Sequence, residues 1–268
     1  MKLKVLVDNN TLIDSYYCGE PAVSYYIEDG NKKILFDTGY SDLFIKNAAA
    51  LNIDLNNLTD IVISHGHNDH TGGLEYFFRH FNAKRIRIVA HPRTFNEKLY
   101  EGILISSPLS AEQIRFKAEL IQSVKPVKIG ENMYFLGEIP SLNEFEERKP
   151  IGMEKADGAF IDDLSFDDSA LAYKGENGIC IITGCSHSGI CNIIEYSKKV
   201  CGDDRIFGVI GGLHLFNIDQ RTEKTVEYFV NNNIKELYPC HCVSFKVKAE
   251  IDRYIPVHEV GVSMELEW

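Results

Sequence analysis

The run Ser64-His65-Gly66-His67-Asn68-Asp69-His70-Thr71-Gly72-Gly73 places three imidazoles and a carboxylate within six residues. Neutral imidazole and carboxylate suit zinc, iron or manganese, and a catalytic site keeps one coordination position open. A metal ion there lowers the pKa of a bound water to about 7, which supplies hydroxide at neutral pH. His65 and His67 stand two apart, so an extended turn can point both to one side. Asp69 and His70 can then serve a second position. This predicts a two-metal site with ions about 3.5–4 Å apart.

Two elements must aim this cluster. Ile61-Val62-Ile63 precedes it, an apolar β-branched run that reads as a buried strand. Leu74, Phe77, Phe78 and Phe81 follow at helical spacing. Downstream, residues 156–268 repeat one pattern: strand, histidine turn, helix. Ile179–Thr183 leads to His187 and a helix carrying Ile190, Ile193 and Ile194; Ile206–Ile210 leads to His214 and a helix carrying Val226, Phe229 and Val230. Ile234–Tyr238 leads to His241. Strand–helix alternation implies crossovers and strands running the same way. His187, His214 and His241 then fall at carboxyl ends of strands, where open α/β sheets hold ligands. His187 and His241 are expected as metal ligands. His214 is expected either as a ligand or as a binder of an anionic substrate group, at the start of a helix whose N–H groups favour anions. Cys240 and Cys242 flank His241; on an extended turn they share the side away from it and read as supporting or structural residues.

The rest of the chain reads as scaffold. Met1–Asp8 alternates lysine with apolar residues as a strand does, and Asp8 ends the run too early for a signal core. Ala22–Glu28 and Lys33–Phe36 read as a hairpin turned at Glu28-Asp29-Gly30-Asn31. Phe44, Ala48 and Leu51 line a helix that Asn52 ends. Residues 92–155 look peripheral. Pro92–Pro108 has no clear period and is a candidate lid. Ser110 with Gln113 forms a capping box for a helix carrying Ile114, Ala118 and Ile121 inward. His91 reads as a strand-end histidine, and Glu144, Glu146, Glu147, Arg148 and Lys149 as solvated charges. The tail from Ile255 through Trp268 reads as a strand returning to the sheet.

His-x-His-x-Asp-His between a strand and a helix resembles the signature of the metallo-β-lactamase superfamily. Gly184-Cys185-Ser186-His187-Ser188-Gly189-Ile190, Gly211-Gly212-Leu213-His214-Leu215, Pro239-Cys240-His241-Cys242 and Gly137-Glu138-Ile139-Pro140 with Phe145-Glu146 resemble its dihydropterin-synthase-like branch. Archaeal members of that branch are named 7,8-dihydropterin-6-yl-methyl-4-(β-D-ribofuranosyl)aminobenzene 5′-phosphate synthase. The resemblance covers nearly the whole chain. It implies a four-layer αβ/βα sandwich, two mixed sheets with helices outside. His65, His67, Asp69, His70, His187 and His241 would be the metal ligands. Asp37, in Asp37-Thr38-Gly39, would orient a ligand histidine. His241 matches the superfamily's last metal histidine. Many members supply a histidine and then a bridging Asp from two successive strands; here the strand near Asp168 has no histidine, and the next ends in Gly-Cys-Ser-His. The bridging ligand is therefore open among Cys185, His187 and Asp168.

Composition sets the outer bounds. The 268 residues carry a net charge of -11, which argues against nucleic acid or an anionic membrane as the main partner. No run is long enough to span a bilayer. Seven scattered cysteines without a secretion signal read as reduced thiols in the cytoplasm. With 44% hydrophobic residues and no linker-like run, residues 1–268 read as one domain. The expected protein is an enzyme, a hydrolase or transferase. It would use zinc, two ions, or else iron or manganese. Its substrate is a small anionic molecule, phosphorylated or ester-like, with Asp69 and His214 at the chemistry. A glyoxalase- or lactonase-type hydrolase, or a metal-binding sensor without turnover, are the other readings.

Overall fold

Alternation along the strands decides the layering. In Lys32–Phe36, Ile34 and Phe36 join one apolar cluster while Leu35 joins another. Ile181 and Ile182, Val209 and Ile210, and Leu237 and Tyr238 divide the same way between two clusters. Each strand thus separates two apolar layers, and the middle layer is common to both sheets. Burying one such Ile, Leu or Phe side chain contributes roughly 1.5–3 kcal/mol.

The computed structural model describes residues 1–268. The strands are β1 (Lys2–Val7), β2 (Ser24–Asp29), β3 (Lys32–Phe36), β4 (Asp60–Val62), β5 (Arg87–Ala90), β6 (Lys98–Tyr100), β7 (Ile103–Leu104), β8 (Glu119–Gln122) and β9 (Val127–Lys128). They continue with β10 (Met133–Phe135), β11 (Met153–Ala156), β12 (Ala159–Asp162), β13 (Ala170–Gly175), β14 (Gly178–Thr183), β15 (Ile206–Gly211), β16 (Glu236–Pro239) and β17 (Glu265–Glu267). The helices are α1 (Leu43–Ala50), α2 (Asn68–Thr71), α3 (Gly73–His80), α4 (Ala111–Lys117), α5 (Ile190–Cys201), α6 (Gln220–Asn231) and α7 (Phe245–Asp252).

The first sheet runs β17-β1-β2-β3-β4-β5-β8 and the second β16-β15-β14-β13-β10-β9. Strands β3, β4, β5 and β8 are parallel, as are β14, β15 and β16; the remaining pairs are antiparallel. Phe44, Ala48, Leu74 and Phe77 of α1 and α3 cover the first sheet. Ile190, Ile193, Phe229, Val247 and Ile251 of α5, α6 and α7 cover the second. This is the four-layer αβ/βα arrangement of mixed sheets with helices outside.

Pro92–Pro108, which has no clear period in the sequence, holds β6 and β7, which join β11 and β12 in a third, antiparallel sheet. Two local expectations are corrected. The Ser110–Gln113 capping box is present, but α4 ends at Lys117 and Ala118 is extended, so Ile121 belongs to β8. Glu146 is not solvated. It is buried and accepts the backbone N–H groups of Cys191 and Asn192, capping α5 across the chain.

Candidate metal centre

The parallel strands deliver the site. β4 ends one residue before Ile63, and the chain then turns sharply into α2 against the loop after β3. Gly66 and Gly73 are required there: a Cβ would stand 2.1 Å from the carbonyl oxygen of Thr94 or of Thr38. Asp37, buried and held at φ 55°, braces the turn. Its Oδ1 accepts the Ser64 N–H at 2.7 Å, and its Oδ2 accepts the Ser64 hydroxyl at 2.7 Å. Because that hydroxyl hydrogen is engaged, Nδ1 of His65, 3.0 Å from Ser64 Oγ, must be the donor of that pair. A neutral His65 therefore presents a bare lone pair at Nε2. His70 donates from Nδ1 to Asp37 Oδ2 at 2.7 Å, which frees its Nε2 in the same way.

These freed atoms face other donors. Nε2 of His65 lies 3.1 Å from Nδ1 of His67 and 3.2 Å from Nε2 of His187. Nε2 of His70 lies 3.4 Å from Asp69 Oδ2 and 3.3 Å from Cys185 Sγ. Nε2 of His241 lies 3.3 Å from the same Asp69 oxygen. Three groups have all their ligand atoms within 4.8 Å: Asp69, His70, Cys185 and His241; His65, Cys185 and His187; His65, His67 and Asp69. His65, Asp69 and Cys185 each belong to two of them. Converging lone pairs of this kind, with too few hydrogens to pair them, fit a cation.

Electrostatics agree. Burial and the neighbouring imidazoles hold His65 and His187 well below their usual pKa, so both are neutral. Burial disfavours charge on His70, but Asp69 and Asp37 outweigh it and hold its pKa well above normal. A proton on His70, or a metal ion in its place, answers the two carboxylates. Burial lifts the Cys185 thiol. Burial acts on Cys242 too, but its contact with Cys185 and the charge of His241 bring it down to about 7.

His65, His67, Asp69, His70, His187 and His241, expected from the sequence, thus come together. His214 lies at the rim, its ring 4.4 Å from that of His187. It does not start a helix: α6 begins at Gln220, capped by Asp219. Burial and the charge of Arg221 push His214 down to about 4, so it is neutral at pH 7 and supplies no positive charge to an anion. Of the three possibilities for the shared position, Asp168 faces elsewhere, accepting the N–H and hydroxyl of Ser188. His187 belongs to one donor group and Cys185 to two. Cys240 and Cys242 do not share a side. His241 has φ 52°, so the turn is not extended: Cys240 meets the Tyr25 hydroxyl between the sheets at 3.1 Å, and Cys242 lines the site.

One cluster was not visible in the sequence. Lys98, fully buried on β6, places Nζ 2.8 Å from Asp163 and 3.1 Å from Asp167, with Glu154 at 3.9 Å. Asp167 also accepts the Gly66 N–H at 2.7 Å, and Asp163 Oδ2 lies 3.8 Å from His67 Nε2. The third sheet is therefore anchored to the histidine loop through one ammonium group. A lone lysine among surface charges gives no period or motif to read. The site opens into a cavity of about 680 Å³ whose apolar wall is Pro21, Tyr100, Ile105, Pro150, Ile151 and Phe216.

The fold is an αβ/βα sandwich, and its donor set fits a metal ion. Residues 19–197 match the metallo-beta-lactamase superfamily, and the chain belongs to that superfamily. It is 31% identical over 264 residues to 7,8-dihydropterin-6-methyl-4-(beta-D-ribofuranosyl)-aminobenzene-5'-phosphate synthase of Methanocaldococcus jannaschii, covering 92% of this chain and 89% of that one. It is 34% identical over 257 residues to a second protein of that organism, the uncharacterized MJ0448, with 94% of each chain covered. The crystal structure of Tm1679, a metal-dependent hydrolase of the beta-lactamase superfamily, superposes with a TM-score of 0.85 and 28% identity, over 100% of this chain and 99% of that one.

Proposed function

We propose that the protein is a metal-dependent enzyme, a hydrolase or transferase, acting on a phosphorylated or ester-like small molecule through two ions. Zinc suits the donor set best, with iron or manganese as the alternatives. His65, His67 and His187 would hold one ion and Asp69, His70 and His241 the other, with Cys185 shared between them. The observation that carries this reading is the convergence of imidazole, carboxylate and thiol donor atoms in three overlapping groups. Two bound ions would supply a water or leaving group of lowered pKa and hold the reacting oxygen.

The chain's own residues have separate tasks. Asp37 and Ser64 fix which nitrogen of His65 and His70 faces inward. Asp69 takes up or releases a proton beside His70 and His241. Neutral His214 at the rim passes a proton between substrate and solvent. Tyr100, Ile105, Ile151 and Phe216 hold an apolar body and exclude water from it. Similarity to the archaeal synthase supports a pterin-related substrate, and similarity to Tm1679 supports plain hydrolysis, of the glyoxalase or lactonase kind included. The protein works in the cytoplasm on a free small molecule; no helix is long and apolar enough to cross a membrane, and the charge of -11 disfavours nucleic acid.

Elemental analysis of purified protein tests the centre: about two ions per chain, falling to one or fewer in His187→Ala. One ion or none, unchanged by His187→Ala, would remove His187 from the site. A screen of phosphoesters, lactones and thioesters then separates enzyme from sensor. Turnover lost in a folded Asp69→Ala variant marks an enzyme; no metal-dependent turnover on any of them marks a binding module.

A further inference from the structure

The 680 Å³ cavity beside the metal centre has no lysine or arginine on its wall. A second cavity of about 510 Å³ adjoins it, and the two share His214 and Phe216. Lys149, Arg221 and Lys224 line this second space, together with Glu144, Glu147 and Asp219. Glu144, Glu147, Lys149 and Lys224 are solvent-exposed, so water screens them. Asp219 is engaged with the Thr222 N–H at 3.0 Å. Arg221 differs from all of these. Its Nε and Nη2 are buried and have no hydrogen-bond partner. These two atoms form one edge of the guanidinium, the edge that grips a carboxylate or phosphate in bidentate fashion. A desolvated fork without an acceptor is costly, and a buried charge ordinarily has one. Arg221 and His214 both line this second cavity, and His214 lines the first as well.

We propose that this second cavity is a phosphate subsite and that Arg221 is the residue that reads the phosphate. The proposal rests on the metal-centre reading and adds the shape of the substrate. The reacting group lies at the donor cluster, an aromatic or otherwise apolar body lies over Phe216, and a phosphate at the far end reaches past His214. A small rotation of the Arg221 side chain, which lines the cavity, presents its fork there. His214, which lines both cavities, stands between the two ends.

Calorimetric titration of inorganic phosphate and of phenyl phosphate tests this, on zinc-loaded and on chelator-stripped protein checked for its melting transition. In stripped wild-type protein both ligands bind, and Arg221→Met weakens them tenfold or more while leaving the zinc content of loaded protein unchanged. Arg221→Lys, which keeps the charge and loses the fork, falls in between. Phosphate binding equal in wild type and Arg221→Met overturns the subsite. So does binding confined to zinc-loaded protein, an outcome that leaves the metal reading standing. Arg221-dependent binding in a protein that never takes up zinc sinks the metal reading instead. Phenyl phosphate binding several-fold more tightly than phosphate, with the gain lost in Phe216→Ala, assigns the site to a substrate's phosphate; equal affinity assigns it to free phosphate and overturns the substrate arm.

Discussion

The two halves of the donor set are built differently. The half on the loop between β4 and α3 is braced from outside: His65 by Ser64, His70 by Asp37, and the Gly66 backbone by Asp167 and, behind it, Lys98. The half on the ends of β14, β15 and β16 is held thinly. Nδ1 of His187 is buried without a partner, and Nδ1 of His241 meets only Asn9, at 3.1 Å and exposed. Positive φ is common to both halves, at Asp37 in the first and at Ser186, His214 and His241 in the second, so the difference lies in the side-chain partners. The contrast teaches that one sheet supplies a pre-set template for cations. The other supplies single side chains that can adjust to metal and substrate.

The contrast breaks most visibly at Lys98. Lys98→Met leaves Asp163, Asp167 and Glu154 buried around an uncharged side chain. Removing one partner of a buried ionic cluster typically costs 3–5 kcal/mol, and urea unfolding should show a loss of about that size. A loss below about 1 kcal/mol would mean that the cluster does not brace the loop.

Next in size is Asp37→Ala, which frees the His70 ring and the Ser64 hydroxyl. Loss of such an outer partner usually lowers metal affinity 10–100-fold, and competition with a chelator should read a drop in that range. Affinity within about twofold of wild type would show that the template does not depend on its brace.

Acid should act on the same half. Burial raises the Asp163 pKa, but the contacts with His67 and Lys98 outweigh it and bring it from 3.8 to about 2. A depressed carboxylate stabilises the fold above its unfolded pKa and loses that contribution as pH falls through its folded one. About 2 kcal/mol should therefore disappear between roughly pH 4 and pH 2. The Lys98→Met variant should show a shallower acid dependence over the same window. Equal slopes would separate Asp163 from Lys98.

Legibility divided along the same line. The histidine loop could be read because its ligands are contiguous and its strand and helix carry clear periods. The strand-end histidines could be read because strand–helix repetition fixes where carboxyl ends lie, although His214 was set at a helix start that begins six residues later. What could not be read depends on chain elements far apart in sequence. Cys185 reaches donors more than a hundred residues away, at His65 and His70, and nothing in Gly184-Cys185-Ser186 distinguishes it from Asp168 as the shared residue. Alternation fails at Cys240–Cys242 because it presumes extended backbone, which the positive φ of His241 denies. Glu146 reads as a solvated charge and nothing in the sequence singles out Lys98 or Arg221, since burial of a charge follows from tertiary packing and leaves no local pattern.

The smallest effect sharpens the comparison from the adjustable side. Asn9 is the outer partner of His241, yet the contact is neutral and solvent-exposed. The His241 backbone N–H also has a hold of its own, on Asp8 Oδ1 at 3.1 Å. Asn9→Ala removes two weak restraints, the ring contact and the bond from Asn9 Nδ2 to the His241 carbonyl at 3.2 Å, from a residue whose ring still faces Asp69. Stability should change by less than about 0.5 kcal/mol, as at other surface positions. Metal affinity should fall only about two- to fivefold, below the usual range for a charged outer partner. The reading is the ratio of the Asp37→Ala effect to the Asn9→Ala effect in one chelator titration. A large ratio means that the first sheet sets the metal positions and His241 follows the ion. A ratio near one means that both halves are equally pre-set, and the positive-φ turns at the ends of β15 and β16 are then as rigid as the histidine loop.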